Sequence, residues 1–173
     1  MELHYMVNQF DNVTKGSNRK MLVITNDHQP RLEAQQADPD IAVLVARTLT
    51  PHNNFLKSYV GHKSAEAVYK GATFNITTLL NDLSGTKARQ WDVGTMVEYD
   101  KGTPEHLVLF PKGRTPFQSG TIDERISAVS GLKGRLADYP ALSDLLTLVS
   151  DHHTLLKAAR DTQQSKEQLV AQA

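Results

Sequence analysis

Histidine and carboxylate side chains are the first residues to consider for chemistry, because helical bundles bind metal ions between their helices through such groups. None of the seven histidines has a glutamate three residues before it, so the Glu-x-x-His pairs of di-iron bundles are absent. The His-Glu-x-x-His motif of zinc proteases is absent as well. The sequence Asp151-His152-His153 remains, but neighbouring residues of a helix point about 100° apart and do not readily bind one metal ion. We expect a packing or solvated role for both histidines, and a metal-dependent hydrolase that uses His152 or His153 is a weaker alternative.

No local motif indicates a serine nucleophile or a phosphate-binding loop. Gly-x-Ser-x-Gly is absent from the sequence, and the serines near glycine occupy positions typical of caps and turns: Ser84, Ser119 and Ser130. Residues 131–135 combine glycine with basic side chains, but they lie inside a predicted amphipathic helix. A phosphate-binding loop needs backbone amides at a helix start after a strand. We therefore predict no catalytic residue, no metal ligand and no cofactor.

Residues 110–120 form the most distinctive candidate for a binding site. The segment contains two prolines, two glycines, two basic side chains and two aromatic rings. Prolines lower the entropic cost of holding one loop conformation, and Arg114 offers a planar set of donors to a carboxylate or phosphate. The candidates for binding a ligand or partner are Lys112, Arg114, Phe117 and Gln118.

An alternative interpretation of the same segment needs no ligand. Phe110 and Phe117 would then anchor the loop in the hydrophobic core, and Arg114 would pair with an acidic side chain of the chain itself. An anionic small molecule remains the competing possibility, because a well-ordered loop on a rigid scaffold often carries function.

Charge and composition restrict the partner classes. Lysine and arginine total 19 and aspartate and glutamate total 19, so the formal net charge is zero. Nucleic-acid-binding proteins usually have a basic excess, and aromatic residues make up only 6% of this chain. We expect no nucleic-acid partner. A neutral molecule also lacks the charge repulsion that opposes self-association.

The chain contains no cysteine, which excludes disulfides, zinc–thiolate sites, iron–sulfur clusters and thiol nucleophiles. The first five residues lack the basic start and apolar core of a secretory signal. The longest apolar runs, such as residues 41–46, are far too short to span a bilayer. Cytoplasmic residence without a membrane partner is the resulting expectation.

Helix signals begin at Asp38-Pro39-Asp40, where an N-cap carboxylate precedes a proline in the first turn and a second acid. Thr50-Pro51 repeats the cap-then-proline pattern. We therefore expect the chain to bend there and to begin a second, longer helix.

Later helices are predicted from caps and apolar periodicity. The second helix is expected to end near residues 83–85, and another helix to cover residues 86–99. Thr103 caps a short helix, and Thr121 with Glu124 forms a capping box at the start of the next one.

A last helix is predicted after Tyr139-Pro140. Its inward-facing residues are expected to be Leu142, Leu145, Leu146, Val149, Leu156 and Ala159. After Arg160 the pattern becomes polar, so this end either projects from the bundle or packs on another chain. The pattern runs to Ala173 without a C-cap, so the sequence leaves open whether the chain is complete or continues further.

These elements predict an all-α fold, an antiparallel bundle of about four to six helices with an ordered loop near residues 110–120. We expect one domain over residues 1–173, in which residues 1–37 are irregular or a hairpin and residues 38–173 form the bundle. The apolar runs within residues 1–26 fit a strand or a helix equally well.

The function favoured by the sequence is non-enzymatic: protein–protein interaction or assembly, with a homo-oligomer as one form. Three observations support it, namely no catalytic pattern, zero net charge and a polar helical end without an evident partner. A binding protein or enzyme for an anionic small molecule, using the 110–120 loop, is the alternative.

Overall fold

The structure is a computed structural model that describes residues 18–172, and nearly all of these residues are helical. No strand occurs within residues 18–172, which confirms the predicted all-α helical bundle. Within residues 18–172 the fold contains seven α-helices: α1 (Asn18–Ala34), α2 (Pro39–Asp82), α3 (Ala88–Glu98), α4 (Pro104–Leu109), α5 (Thr115–Gln118), α6 (Ile122–Leu136) and α7 (Ser143–Gln172). A π-helical turn, Leu83–Lys87, joins α2 to α3, and a 3₁₀ turn, Pro140–Leu142, precedes α7.

Helix α1 corrects the prediction that the N-terminal segment is irregular or a hairpin. Residues 18–34 are helical, and Pro30 lies inside the helix. The prediction failed because a short apolar run such as residues 21–24 fits a strand or a helix equally well. Among residues 19–34, only Gln29 and Leu32 are buried. Residues 1–17 of the predicted irregular segment lie outside the described part of the chain.

Helix α2 passes through Pro51 without ending, so the prediction that a second helix begins at Thr50-Pro51 was wrong. A proline inside a helix loses one backbone hydrogen bond and releases the carbonyl four residues before it. Here that residue is Arg47, and both Arg47 and Pro51 are exposed. Because water can bond the released carbonyl on this side, the helix continues.

Helix α2 ends at Asp82, close to the predicted stop at residues 83–85, but a π-helical turn joins it to α3 without a break. The backbone N–H of Ala88 donates to the carbonyl of Leu83, a π-type bond that carries the chain into α3. Leu83 is fully buried. We attribute the continuation to this burial, which favours a helical path for a sequence that resembles a C-cap.

The contacts of the chain group into two compact units, of which residues 18–65 and 66–172 are described. In the first unit, α1 and the first part of α2 form a helical hairpin. Thr48 Oγ1 and Gln29 Oε1 lie 3.1 Å apart between these helices. The expectation of one domain remains a prediction.

The second unit contains the main hydrophobic core. Its largest fully buried side chains come from six different segments: Ile76, Leu83, Trp91, Leu109, Leu132, Leu136 and Leu156. Arg160 on α7 donates two hydrogen bonds, of 2.9 and 2.8 Å, to the Asp123 carboxylate in the first turn of α6. Helices α6 and α7 therefore run antiparallel. The capping box of Thr121 and Glu124 is present as predicted.

The polar end of α7 has a partner within its own chain. Gln163 is buried, and its side-chain amide donates to Thr73 Oγ1 on α2 at 3.2 Å. The expectation that this end projects from the bundle, or packs only on another chain, was wrong at this turn. A single buried glutamine does not produce the apolar stripe that would have revealed this packing.

Candidate protein-binding groove

The 110–120 segment is folded into the core and is not a free loop. Residues 115–118 form the single helical turn α5. Phe117 is only 2% exposed, and its ring lies edge-on to Trp91 and to Phe110 at centroid distances of 6.1 and 5.9 Å. The two phenylalanines thus anchor the segment, as the ligand-free interpretation predicted.

The remaining candidates of this segment lie on the surface around Phe117. Arg114 Nε is 3.6 Å from the carboxylate of Asp92, and Gln118 donates a hydrogen bond of 3.3 Å to the carbonyl of Ser84. Lys112 is exposed. Binding of a ligand by these side chains stays a prediction, but the structure engages Phe117, Arg114 and Gln118 in contacts within the chain.

Asp92 links α3 to α4 and to the turn before α5. Its second oxygen lies 3.1 Å from Nε2 of His106, a buried side chain that stacks on Phe110. Sequence reasoning missed this pair, because fourteen residues separate Asp92 from His106 and no motif joins them. The arrangement holds the short helices together.

The two adjacent histidines of α7 occupy different environments. His152 is 5% exposed and its ring lies edge-on to Trp91 at 5.6 Å. Burial lowers the pKa of His152, with smaller opposite effects of Asp82, which raises it, and Lys87, which lowers it. Burial also lowers the pKa of His153, as do nearby Lys133 and Lys157. Residues 18–172 contain no group of three or more histidine, aspartate or glutamate side chains placed to bind a metal ion.

An open groove of about 550 Å³ runs between α3 and α7 in the second unit. We call it the α3–α7 groove. Its apolar walls are formed by Trp91, Gly94 and Val97 on α3 and by Leu145, Leu148 and Leu155 on α7.

Three of these side chains are unusually exposed for their size and apolar character. Val97 is 77% exposed, Leu148 is 60% exposed and Leu155 is 55% exposed. Isolated exposed leucines are ordinary, whereas several that line one concave surface mark a binding site. The α3–α7 groove is therefore the candidate site of this molecule.

The sequence of α7 explains why the groove is apolar. Leu145, Leu148, His152 and Leu155 follow one another at intervals of three, four and three residues, which places them on one face of the helix. The predicted inward stripe is largely confirmed: Val149, Leu156 and Ala159 are buried, and Leu145 and Leu146 are partly buried. Sequence reasoning found that stripe but missed the second one beside it.

Gly94 widens the groove opposite Leu145. A methyl group at this position would meet Leu145 Cδ1 at 3.6 Å, an ordinary van der Waals distance. The absence of a side chain at Gly94 thus leaves room for one methyl group of a molecule that enters the groove.

Charged residues around the groove are mainly acidic. Four carboxylates and one ammonium group line it: Asp82, Glu98, Asp144, Asp151 and Lys87. Lys87 Nζ already lies 3.9 Å from the Asp82 carboxylate. The residues that line the groove therefore carry three more negative than positive charges.

Comparisons of the chain with models of protein families, with curated proteins and with solved structures found no match. Among the helices of residues 18–172, none combines the length and the apolar character needed to cross a membrane.

Proposed function

We propose that the chain is a non-enzymatic protein-interaction or assembly protein, and that its α3–α7 groove receives an apolar segment of a protein partner. The observation that carries this proposal is the exposure of Val97, Leu148 and Leu155 along one groove. Covering such side chains removes apolar surface from water, at about 25 cal/mol per Å². Cytoplasmic residence belongs to the same proposal.

The shape of the groove favours a protein segment over a small molecule. Small-molecule pockets enclose 70–90% or more of the ligand surface between mostly buried walls. Here Val97 and Leu148 are more than half exposed. A long apolar side-chain row of a partner would cover them, whereas a compact ligand between the walls would leave their outer faces in water.

Mapping by NMR tests the location of the proposed site. The ¹⁵N-labelled chain is titrated with three 21-residue amphipathic helical peptides that share one leucine stripe and carry lysine, glutamine or glutamate on the polar face. We expect at least one peptide to shift the amide signals of Val97, Leu148 and Leu155 while those of α4 stay in place. If no peptide shifts the groove signals, the proposal is wrong.

Self-association, the other part of the sequence prediction, has a separate test. Size-exclusion chromatography with light scattering at high protein concentration reports the subunit number. An oligomer that Leu148→Gln dissociates would assign the groove to a second copy. A strict monomer would contradict assembly of the chain with itself and leave binding of a different partner in place.

The anionic-ligand alternative uses Lys112, Arg114 and Gln118, and of these Arg114 already lies 3.6 Å from the Asp92 carboxylate. Replacing Arg114 by alanine distinguishes the two roles. If the variant is less stable but binds the anionic small molecule as before, Arg114 has a structural role. If it no longer binds the anionic small molecule and its melting temperature is unchanged, the ligand site is favoured.

A further inference from the structure

The walls of the α3–α7 groove restrict the backbone conformation of its occupant. Both walls are α-helices, whose backbone groups bond within each helix. An extended segment would therefore find no strand edge to pair with, and its own amides would lose water without gaining partners. A helix satisfies its backbone internally and presents only side chains, so it is the conformation that suits this groove.

The groove has the length of a short helix. One wall, made of the end of the π-helical turn and α3, extends from Lys87 to Glu98, and the α7 wall extends from Asp144 to Leu155. Each wall spans eleven residue intervals, or about 17 Å at 1.5 Å per residue. About three turns of a partner helix match this length, with leucine-sized side chains at intervals of three and four residues.

The charges beside the groove select the polar face of that helix. Asp144 and Asp151 lie seven residues apart on α7, two turns along the same face, and Glu98 lies at the end of the opposite wall. None of these three carboxylates has a salt bridge to a described residue. A partner with lysine or arginine beside its apolar stripe would meet opposite charges on both sides.

The same charges argue against a second copy of the chain as the occupant. A two-fold arrangement would place one groove against the other, since the same patch of each copy meets in such an interface. The acidic patch that contains Asp144, Asp151 and Glu98 of one copy would then lie against the same acidic patch of the next. Like charges placed opposite one another oppose association.

We propose that the partner of the α3–α7 groove is a basic amphipathic helix of about three turns. This inference rests on the function proposed above and adds the conformation and charge of the partner.

The test compares affinities of the lysine, glutamine and glutamate peptides by fluorescence anisotropy at 50 and 300 mM salt. At 50 mM salt we expect the lysine peptide to bind at least tenfold more tightly than the glutamate peptide. The ratio should fall at 300 mM, because salt screens exposed charges. A lysine peptide with the same composition but no apolar stripe should not bind.

Two double variants remove equal charge from different places. Glu98→Gln/Asp151→Asn neutralises two groove carboxylates and should weaken binding of the lysine peptide about threefold to tenfold, leaving the glutamine peptide unaffected. Asp138→Asn/Glu167→Gln neutralises two exposed carboxylates that do not line the groove, and it should change neither affinity. Thermal melts followed by circular dichroism confirm that each variant is folded.

The outcomes separate this inference from the proposed function. Equal affinity for all three peptides, with groove signals shifting, would overturn the basic partner but retain the interaction site. Binding that responds equally to both double variants would also overturn it, because the charges beside the groove would then have no special role. Dissociation of a wild-type dimer by Leu148→Gln would replace the basic partner by a second copy. Absence of all binding would remove the proposed function as well.

Discussion

Among the single residues, Trp91 is central to the second unit because it contacts both the 110–120 segment and the last helix. Its ring meets Phe117 and His152 edge-on, at 6.1 and 5.6 Å. Trp91 is buried, but no pattern in the sequence shows which residues its ring contacts. Phe117 and His152 are 26 and 61 residues away along the chain, distances at which no periodicity or cap signal acts.

The packing role of Phe117 predicts a large effect of truncation. Phe117→Ala should lower the free energy of unfolding by about 3–5 kcal/mol, because it leaves a cavity beside Trp91. The side chain of Gln118, the next residue, is exposed. Gln118→Ala should therefore change the free energy of unfolding by less than about 1 kcal/mol. Urea unfolding of both variants checks this, and similar values for the two would contradict the anchoring role of Phe117.

The lowered pKa of His152 predicts that stability depends on pH. In the unfolded chain His152 takes up a proton near pH 6.5, whereas in the folded chain it does so only at a lower pH. Below pH 6.5 the unfolded chain therefore binds more protons than the folded chain, and lowering the pH favours unfolding. The stabilisation is complete above this pH and is lost as the pH falls toward the folded pKa. His152 contributes a slope of at most about 1.4 kcal/mol per pH unit.

Urea unfolding from pH 7.5 to 5.5 measures this slope. His152→Phe retains a ring beside Trp91 and should flatten the pH dependence of the unfolding free energy, leaving the contribution of His153. An unchanged dependence in His152→Phe would show that His152 does not resist protonation in the folded chain.

At the scale of elements, features that depend on residues within one helical turn were predictable from the sequence. Features that depend on tertiary contacts and burial were not. The capping box of Thr121 and Glu124 needs only residues in contact along the chain, and it is present. Pro51 and the glycine-containing turn at residues 83–85 are typical of helix ends, yet helical structure continues through both. Exposure of Pro51 and burial of Leu83 decide these cases, and neither can be known before the fold.

The capping box predicts the effect of a small substitution at the start of α6. The backbone N–H of Glu124 donates to Thr121 Oγ1 at 3.2 Å, and the Glu124 carboxylate accepts from the Thr121 N–H at 2.7 Å. Thr121→Ala should lower the free energy of unfolding by about 1 kcal/mol.

Thr154→Ala is the matched control for this prediction. Thr154 is exposed within α7, and its hydroxyl only donates to the Ser150 carbonyl of the same helix. Its replacement should change the stability by less than about 0.5 kcal/mol. Equal effects of the two substitutions in thermal unfolding would show that the cap does not stabilise α6.

For the whole molecule, the sequence indicated the fold class but not the candidate site. From the sequence, the stripe with Val149 and Leu156 was assigned to the core. No role was given to Leu148 and Leu155, the residues that immediately precede them. Both stripes look alike in the sequence. Only the position of α6 and α3 around α7 determines that one stripe is covered and that the other lines an open groove.

The binding role of the groove is tested most directly by one matched pair of variants. Leu148 and Leu107 are 60% and 53% exposed, but only Leu148 lines the α3–α7 groove. The affinity of the lysine peptide is measured for Leu148→Gln and Leu107→Gln. We expect Leu148→Gln to weaken binding at least about tenfold, the loss that corresponds to one leucine contact, and Leu107→Gln to leave it unchanged. Equal affinities of the two variants would contradict the assignment of the groove as the binding site.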